Sequence, residues 1–402
     1  MRAIDLVIKG GHLIDPAAGI DEERDIAISQ GRVIEVDSGI SSRNVRKTIR
    51  ADGLFVSPGF VDLHAHVARG IVRLGVDPDT ACLLKGTTTV VDAGSTGELS
   101  FDSFKKYVIE GSRTRIIAFI NIESLGMIEF GTMPGNTDQR WPSLLTAQKE
   151  KYASMFVNSK NTEKIIRENH SVIAGIKWAH HGMEIMKLAR GSATRSDCLL
   201  MIENHFMPDA LKLVRRGDIV THLFLDHLNR ISGYRDGLLD EKRRVRPEFF
   251  RAEKKGVILD VGHGRGSFSW RVAETAFAEG LRPTTISTDL WIGNINGPVW
   301  DLPTVASKFL HLGMSLKEVI AAITSKPALA LGMPDEIGSL KPGLCADLVI
   351  FKVQNGRFII PDSDGATRIV QRKIVPQTII RNGEVVVQGR KFVGSKSPKW
   401  GK

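Results

Sequence analysis

Between residues 57 and 343, short apolar runs alternate with longer amphipathic stretches. Eight runs are typical of buried strands: FVDLHAH, TTTVVDAG, RIIAFINIES, VIAGIKWAH, CLLMIENH, DIVTHLF, VILDVGHG and TTISTDL. Segments of helical period separate many of them: FDSFKKYVIEG, NTEKIIRENH, PDALKLVRRG, PEFFRAEKKG and SWRVAETAFAEG. This alternation predicts an α/β fold, a (β/α)8 TIM barrel, because nearly continuous apolar strands need helices over both faces of their sheet. An open doubly wound sheet is the alternative, and it is disfavoured because no glycine-rich dinucleotide turn follows the first run.

The two ends of the chain have a different pattern, in which strands of alternating polarity are separated by Gly and Asn turns. This pattern occupies residues 4–56 and 347–390 and is typical of antiparallel sheet. We therefore expect residues 1–56 and 344–402 to form one small composite β-sandwich domain beside a barrel of residues 57–343. Residues 125–160 and 226–246 are long for barrel connections and are predicted to be lids over the barrel mouth.

The charge of the chain does not identify a partner. The 402 residues include 55 Lys and Arg against 45 Asp and Glu, a net charge of +10, but the basic residues are dispersed. The densest basic groups, within residues 242–246 and 390–402, are interpreted as solvated faces. We expect a small-molecule substrate, and an anionic one is compatible with this charge. Neither nucleic acid nor membrane is expected as a partner, and a homo-oligomer is compatible with the composition.

Cysteine usage bears on the cellular compartment. Cys82, Cys198 and Cys345 are far apart, and an odd number without short spacing argues against a disulfide framework and against a cysteine metal site. The N-terminal residues MRAIDLVIKGG lack the charged-then-apolar pattern of a signal peptide, and no apolar stretch approaches the length of a membrane span. We expect a cytoplasmic protein.

The stretch GFVDLHAH places two histidines one residue apart as an apolar run ends. In a strand, side chains alternate between the two faces, so His64 and His66 point the same way together with Asp62. Two imidazoles directed at one point indicate a metal site. A pair of hydrogen-bonded or solvent-facing histidines explains this fragment equally well, so the rest of the chain has to decide.

Other polar residues recur near the carboxyl ends of the predicted strands, where the active sites of barrels lie. They are Lys177, Glu203, His205, His222 and Asp289. Each alone has an ordinary structural explanation, such as a helix cap, but together they indicate a site. Lys177 interrupts an apolar strand, and because a charged lysine is costly to bury, it should be neutral, paired or chemically altered. A neutral amine can add carbon dioxide, and the resulting carbamate has two oxygens that can bridge two cations.

Over nearly its whole length the chain resembles the amidohydrolase superfamily of metal-dependent hydrolases. GFVDLHAH is similar to the H-x-H of the superfamily's first strand, and PGLCADLVIF with RNGEVV is similar to its returning β-domain. Within the superfamily, GVDPDTACLLKGTTTVVDAGSTG, DVGHGRGSFSW and TISTDLWIGNINGP most resemble the deacetylase-like branch that neighbours dihydroorotases.

The resemblance implies two divalent metal ions, for which zinc suits the imidazole and carboxylate ligands. His64 and His66 would hold one ion, and Lys177 as a carbamate would bridge both. His222 and a fifth-strand residue would hold the second ion, and Asp289 would be both a ligand and the catalytic proton shuttle. The implied function is hydrolysis of an amide, or a related acyl bond, in a small and anionic substrate.

The fifth strand departs from the pattern of this branch, which has a histidine directly after the apolar run. Here LLMI is followed by Glu203, and His205 comes two residues later. Alternation puts both side chains on one face, so either could reach the metal. Register favours Glu203 as the ligand, because it directly follows the apolar run. Zinc chemistry favours His205, because a neutral imidazole leaves the metal more Lewis acidic than another carboxylate would. We predict His205 as the ligand, with Glu203 as the alternative.

Substrate contacts are predicted at His263, Arg265 and Asn121, although a backbone-bonded histidine and a solvated arginine are ordinary alternatives. Two other functions stay open. One is ring opening of a cyclic amide, of dihydroorotase or hydantoinase type, and the other is a binding or scaffold role for a barrel that has lost catalysis. The unusual fifth strand favours the scaffold role, and the intact remaining ligands oppose it.

Overall fold

A computed structural model of the chain describes residues 4–127, 156–179, 182–205, 207–227 and 237–393. Residues 128–155 of the first predicted lid and residues 228–236 of the second therefore lie outside the described residues. The strands of the first part of the chain are β1 Ile4–Asp15, β2 Ile20–Ser29, β3 Arg32–Asp37, β4 Val45–Arg50 and β5 Phe55–Pro58. They are followed by β6 Phe60–Ala65, β7 Thr87–Ala93, β8 Arg115–Asn121, β9 Ile173–Trp178, β10 Leu199–Glu203, β11 Ile219–Thr221 and β12 Ile258–Leu259. The last strands are β13 Leu348–Pro361, β14 Thr367–Arg381, β15 Glu384–Gln388 and β16 Lys391–Phe392.

The middle of the chain forms a seven-stranded sheet in which β6 to β12 pair in chain order, each parallel to the next. Every residue of β6 and β7 is buried, as expected for strands that are covered on both faces. Parallel strands need crossover connections, and the described connections carry helices. This is the arrangement that the alternating pattern predicts.

The segment 285–290 lies between the two edges of this sheet. Thr285 forms a parallel bridge to Asp260 beyond β12, and Leu290 forms one to Ala65 of β6. The backbone N–H of Asp289 also donates to the carbonyl of His64 at 2.6 Å. The sheet therefore closes as a TIM-like barrel, but the predicted eighth strand is not a regular one. Near the end of this run, Asp289 has a left-handed φ of 49°, which a regular strand does not contain.

An apolar layer lies beneath the polar ends of the barrel strands. One buried cluster contains Leu63, Phe119, Met201 and Ile219, which come from four different strands. Because side chains alternate along a strand, the next residue on the same face is two positions further on. Polar residues occupy those positions in β10 and β11, where Glu203 follows Met201 and Thr221 follows Ile219.

Strands from both ends of the chain form one nine-stranded sheet. Its order is β16-β15-β14-β13-β5-β1-β2-β3, and β4 pairs with β1. Strand β5 connects the two halves, because it pairs with β1 on one side and with β13 on the other. The neighbours are antiparallel except for the pairs β1–β4 and β1–β5. The strands that the sequence assigns to a sandwich are therefore linked edge to edge, and β5 leads directly into the barrel.

The helices have the boundaries Pro78–Ala81, Phe101–Phe104, Ser159–Glu168, Met183–Arg195, Asp209–Leu213, Pro247–Lys255, Trp270–Ala278, Leu302–His311, Leu316–Ala322 and Ser325–Ala330. A 3₁₀ turn spans Leu83–Lys85 and a π turn spans Lys105–Ile109.

The helix Pro247–Lys255 shows why such segments start and stop. Proline lies in its first turn, two lysines lie in its last, and Gly256 ends it in the left-handed conformation. None of the described helices combines the length and the apolar composition that a membrane crossing requires.

Candidate metal centre

Two histidines and an aspartate converge where β6 meets the segment 285–290. The side chain of Asp289 places Oδ1 3.4 Å from Nε2 of His64 and 3.1 Å from Nε2 of His66. Both imidazoles are almost completely buried. The structure thus brings together the two first-strand histidines and the eighth-segment aspartate that the sequence singles out.

His222 joins this group from the end of β11. Its ring centroid lies 5.0 Å from that of His64, and ligand atoms of His64, His222 and Asp289 all lie within 4.8 Å of one another. Nδ1 of His222 lies 2.7 Å from the carbonyl oxygen of Gly262, so the ring donates there and its Nε2 is left for another ligand. His222 and Asp289 both have positive φ, a conformation that clusters at functional sites.

Lys177 is a fully buried lysine without a compensating hydrogen bond. Its Nζ has no hydrogen-bond partner among the described residues, and Oε1 of Glu203 lies 3.9 Å away. Burial lowers the pKa of Lys177, although the carboxylates of Glu203, Asp289 and Asp260 oppose this shift. A buried polar atom without a partner is costly. This amine is therefore suited to contact a group that binds in the site, or to carry a group that is added to it.

The structure separates the roles of the two fifth-strand candidates. Glu203 ends β10 and directs Oε1 towards Lys177 and towards Nε2 of His222, which lies 3.6 Å away. His205 lies one step further out, with its ring 4.8 Å from that of Trp178 and its Nδ1 3.5 Å from the other oxygen of Glu203. The selection of His205 as a ligand stays a prediction, and this geometry favours Glu203.

The protonation of the histidines suits metal binding. Burial, together with the nearby Lys177, His222 and His66 charges, lowers the pKa of His64 well below its usual value, so this imidazole is neutral. Burial also acts to lower the pKa of His222, but the carboxylates of Glu203 and Asp289 outweigh it and raise this pKa. A divalent cation would balance the charge of these carboxylates, and it would use the Nε2 atoms that face the site. The donor set therefore fits a metal centre.

His263, predicted to contact the substrate, is instead part of the packed interior. Its ring is stacked on Phe268 with centroids 4.6 Å apart, and it has no exposed surface. Nδ1 lies 2.8 Å from the carbonyl of Gly264, and Nε2 lies 2.5 Å from Nζ of Lys308. Both nitrogens are engaged, which counts against a substrate contact, and the role of His263 in the site stays a prediction.

The buried Lys308 makes the stability of the protein depend on pH. It also donates to the carbonyl of Pro361 at 2.6 Å, and burial lowers its pKa to about 7. An unfolded lysine keeps its proton up to its usual pKa of about 10.4, so the unfolded state binds more protons between pH 7 and 10 and stability rises with pH in that window. The slope from this one group is at most about 1.4 kcal/mol per pH unit.

We expect the Lys308→Met variant to lack this rise. The melting temperature of the chelator-treated wild type, minus that of the chelator-treated variant, should increase between pH 7 and pH 9. Differential scanning fluorimetry measures both proteins, and treatment with chelator removes the pH dependence of metal binding. A constant difference across this range would contradict a Lys308 that is neutral when folded.

Asn121 and Arg265 have different surroundings. The side chain of Asn121 is buried at the end of β8, where Nδ2 donates to the carbonyl of Gly94 and Oδ1 accepts from the N–H of Glu123. These two backbone contacts orient the amide, and the substrate contact of Asn121 stays a prediction. Arg265 is exposed in the loop after β12, and it donates to the carbonyl of Gly293 at 3.3 Å. It stays a candidate for a substrate carboxylate.

Sequence reasoning missed two buried aspartates that contact the first-strand histidines through hydroxyl groups. Asp260 is hydrogen-bonded to Thr221, which contacts His64, and Asp92 is hydrogen-bonded to Ser95, which contacts His66. The available signal was an aspartate at the end of each apolar run, in TTTVVDAG and VILDVGHG. The pairing with hydroxyls from other parts of the chain was not visible in the sequence.

Comparison with known proteins shows which family the chain resembles. The model of the amidohydrolase family matches residues 269–386. A deacetylase of Agrobacterium fabrum is 34% identical over 368 residues, covering 90% of this chain and 86% of that protein. A deacetylase of Enterococcus faecalis is 31% identical over 396 residues, covering 95% and 98%. A solved structure described as a dihydroorotase has a TM-score of 0.81 at 29% identity, covering 96% of this chain and 99% of that one.

The chain belongs to the amidohydrolase superfamily. Members of this superfamily are metal-dependent, and the His and Asp donors described above form a group that could hold a metal ion. A metal-dependent hydrolase is therefore the class that fold, site and relatives define together. A second solved structure, described as an adenine deaminase, has a TM-score of 0.82 at 30% identity and covers 95% of this chain. The names of these relatives differ, so they do not identify one substrate.

Proposed function

We propose that this protein hydrolyses the amide bond of a small N-acylated, anionic substrate at a centre of two zinc ions. The observation that carries the proposal is the buried, unpartnered amine of Lys177 beside the His64, His222, Glu203 and Asp289 side chains. A neutral amine in this position can become a carbamate, which supplies the anionic bridge that two cations need. Deacetylases that align with 90% or more of the chain support the deacylation part of the proposal.

The two metal sites share the donors as follows. His64, His66 and Asp289 would hold one ion, while His222 and Glu203 would hold the other, with carboxylated Lys177 between them. Imidazole nitrogen and carboxylate oxygen are ligands that zinc accepts. When bound, the ions supply a hydroxide nucleophile near neutral pH and polarise the scissile carbonyl. His205 in place of Glu203 is the alternative, and the distances of Glu203 to Lys177 and His222 count against it.

Asp289 is the residue that moves the proton. Its carboxylate lies beside both first-strand histidines, and its side chain retains 13% exposure, so it is not sealed from solvent. A carboxylate at this position can accept a proton from the attacking water and deliver it to the leaving nitrogen. Arg265, exposed in the neighbouring loop, is placed to pair with a substrate carboxylate.

A panel of substrates tests this function. Metal-loaded protein should release the acyl group from N-acyl amino acids, lose this activity after treatment with a chelator, and regain it when zinc is returned. The matched control is the His12→Asn variant, because His12 lies on β1, is paired with Asp21 and is remote from the site in the strand order. That variant should hydrolyse the panel as the wild type does.

The outcomes distinguish the other functions. Turnover of cyclic imides such as dihydroorotate or hydantoin, without turnover of linear N-acyl compounds, would replace deacylation by ring opening. Its support is the overall similarity to the dihydroorotase structure. Zinc binding with no turnover of either class would favour a barrel that has lost catalysis, and it would contradict the proposal.

A further inference from the structure

A hydroxyl group connects His64 to a buried carboxylate. Nδ1 of His64 lies 2.7 Å from Oγ1 of Thr221, and this hydroxyl donates to Oδ2 of Asp260 at 2.7 Å. The carboxylate itself is 3.9 Å from the ring nitrogen, too far for a direct hydrogen bond. Thr221 and Asp260 have no exposed surface. The contact between ring and carboxylate therefore runs through the hydroxyl.

His66 has the same arrangement, built from a different part of the chain. Its Nδ1 lies 2.9 Å from Oγ of Ser95, and this hydroxyl donates to Oδ2 of Asp92 at 2.8 Å. Two backbone N–H groups, from Val67 and Ser95, also donate to Asp92 and fix its orientation. Two neighbouring histidines are thus held by two separate hydrogen-bond chains, and each of these runs from an imidazole through a hydroxyl to a carboxylate.

The number of hydrogen atoms determines which group donates to which in the hydrogen-bond chain of His64, Thr221 and Asp260. Asp260 accepts from three hydroxyls, those of Thr221, Thr285 and Ser287, at 2.6 to 2.7 Å. A hydroxyl has a single hydrogen, so when Thr221 donates to Asp260, it can only accept from His64. The proton of His64 then lies on Nδ1, and Nε2 presents its lone pair towards Asp289.

We infer that Thr221 with Asp260, and Ser95 with Asp92, are positioning residues that hold the Nε2 atoms of His64 and His66 as metal donors. This inference rests on the proposed metal centre. A carboxylate at the end of a hydrogen-bond chain fixes the tautomer and the ring orientation and makes the imidazole a stronger donor. His222 differs, because its Nδ1 donates to the backbone carbonyl of Gly262 instead.

The test is a zinc titration of wild type and variants against a chromogenic chelator. Thr221→Val keeps the shape of the side chain but removes the hydroxyl, and it should weaken zinc binding by about 10–100-fold. Thr221→Ser retains the hydroxyl and should restore affinity to within about threefold of the wild type. Ser95→Ala tests the second chain independently and should also weaken zinc binding by about 10–100-fold.

Thr285→Val is the matched control, because Thr285 donates to the same carboxylate but contacts neither histidine in the hydrogen bonds of the structure. It should leave zinc affinity within about threefold of the wild type, and the melting temperatures of the metal-free variants show whether a loss is only structural. Equal zinc affinity in the wild type, Thr221→Val and Ser95→Ala would overturn the inference and leave the proposed function standing. A wild type that takes up no zinc would overturn both.

Discussion

Replacing Asp289 by asparagine is expected to lower the turnover number by about 10²–10⁴-fold, the range in which a positioned acid–base group contributes. The change preserves the size of the side chain and one oxygen, but an amide cannot take up a proton from water and return it to a leaving nitrogen. Because it alters proton transfer more than shape, KM should change far less than the turnover number.

Steady-state kinetics on the N-acyl substrate that the panel identifies measures this effect. The control is Asp102→Asn, which changes an exposed carboxylate on the outer helix Phe101–Phe104 and should leave turnover within about twofold. An Asp289→Asn enzyme that turns over at the wild-type rate would show that another group moves the proton.

The second large effect is expected at the fifth strand. Glu203→Gln should reduce bound zinc from about two ions per chain to about one, while His205→Asn should retain both. The reason is distance, because Glu203 lies beside both Lys177 and His222, whereas His205 lies beside Glu203 and Trp178. Turnover should fall with the lost ion in the Glu203 variant.

The two variants control each other, since each changes one member of a contacting pair. Metal analysis after dialysis gives the stoichiometry, and circular dichroism verifies the fold of each variant. Loss of one ion in His205→Asn alone would restore the assignment that zinc chemistry favours in the sequence. Loss in both variants would mean that the pair acts together on the second ion.

Much of the barrel was predictable because its signals are local. Alternation within FVDLHAH directs His64 and His66 to one face, and a lysine inside an apolar strand is conspicuous in AGIKWAH. Both features appear in the structure, where the histidines meet at Asp289 and Lys177 is fully buried. The seven regular parallel strands occur at seven of the predicted runs.

The remaining features depend on contacts that the sequence does not show. Asp289 has a left-handed φ near the end of the eighth run, and no residue pattern signals it. His263 was assigned to the substrate because it follows a strand, but Lys308, 45 residues further on, occupies its Nε2. The choice between Glu203 and His205 likewise depends on the contacts of each side chain in the folded barrel, because register and zinc chemistry favour different residues in the sequence.

Gly262 shows how closely the backbone determines this site. A Cβ atom at this position would lie 2.1 Å from Oγ1 of Thr221 and 2.9 Å from Nδ1 of His222, and its φ is 45°. Its carbonyl also accepts the hydrogen bond that orients His222. Gly262 therefore supports groups on the side of both proposed metal ions, Thr221 behind His64 and the ligand His222, and only the folded chain reveals this.

The most direct test of the central claim is the zinc content of the wild type and of Lys177→Met after equilibration with zinc and bicarbonate. Lys187→Met, a change of an exposed lysine on the helix Met183–Arg195, is the matched control. Elemental analysis should find about two zinc ions per chain in the wild type and the control, and fewer than one in Lys177→Met, which has no amine to carboxylate. Equal zinc contents in all three proteins, or none in the wild type, would contradict a metal centre built on Lys177.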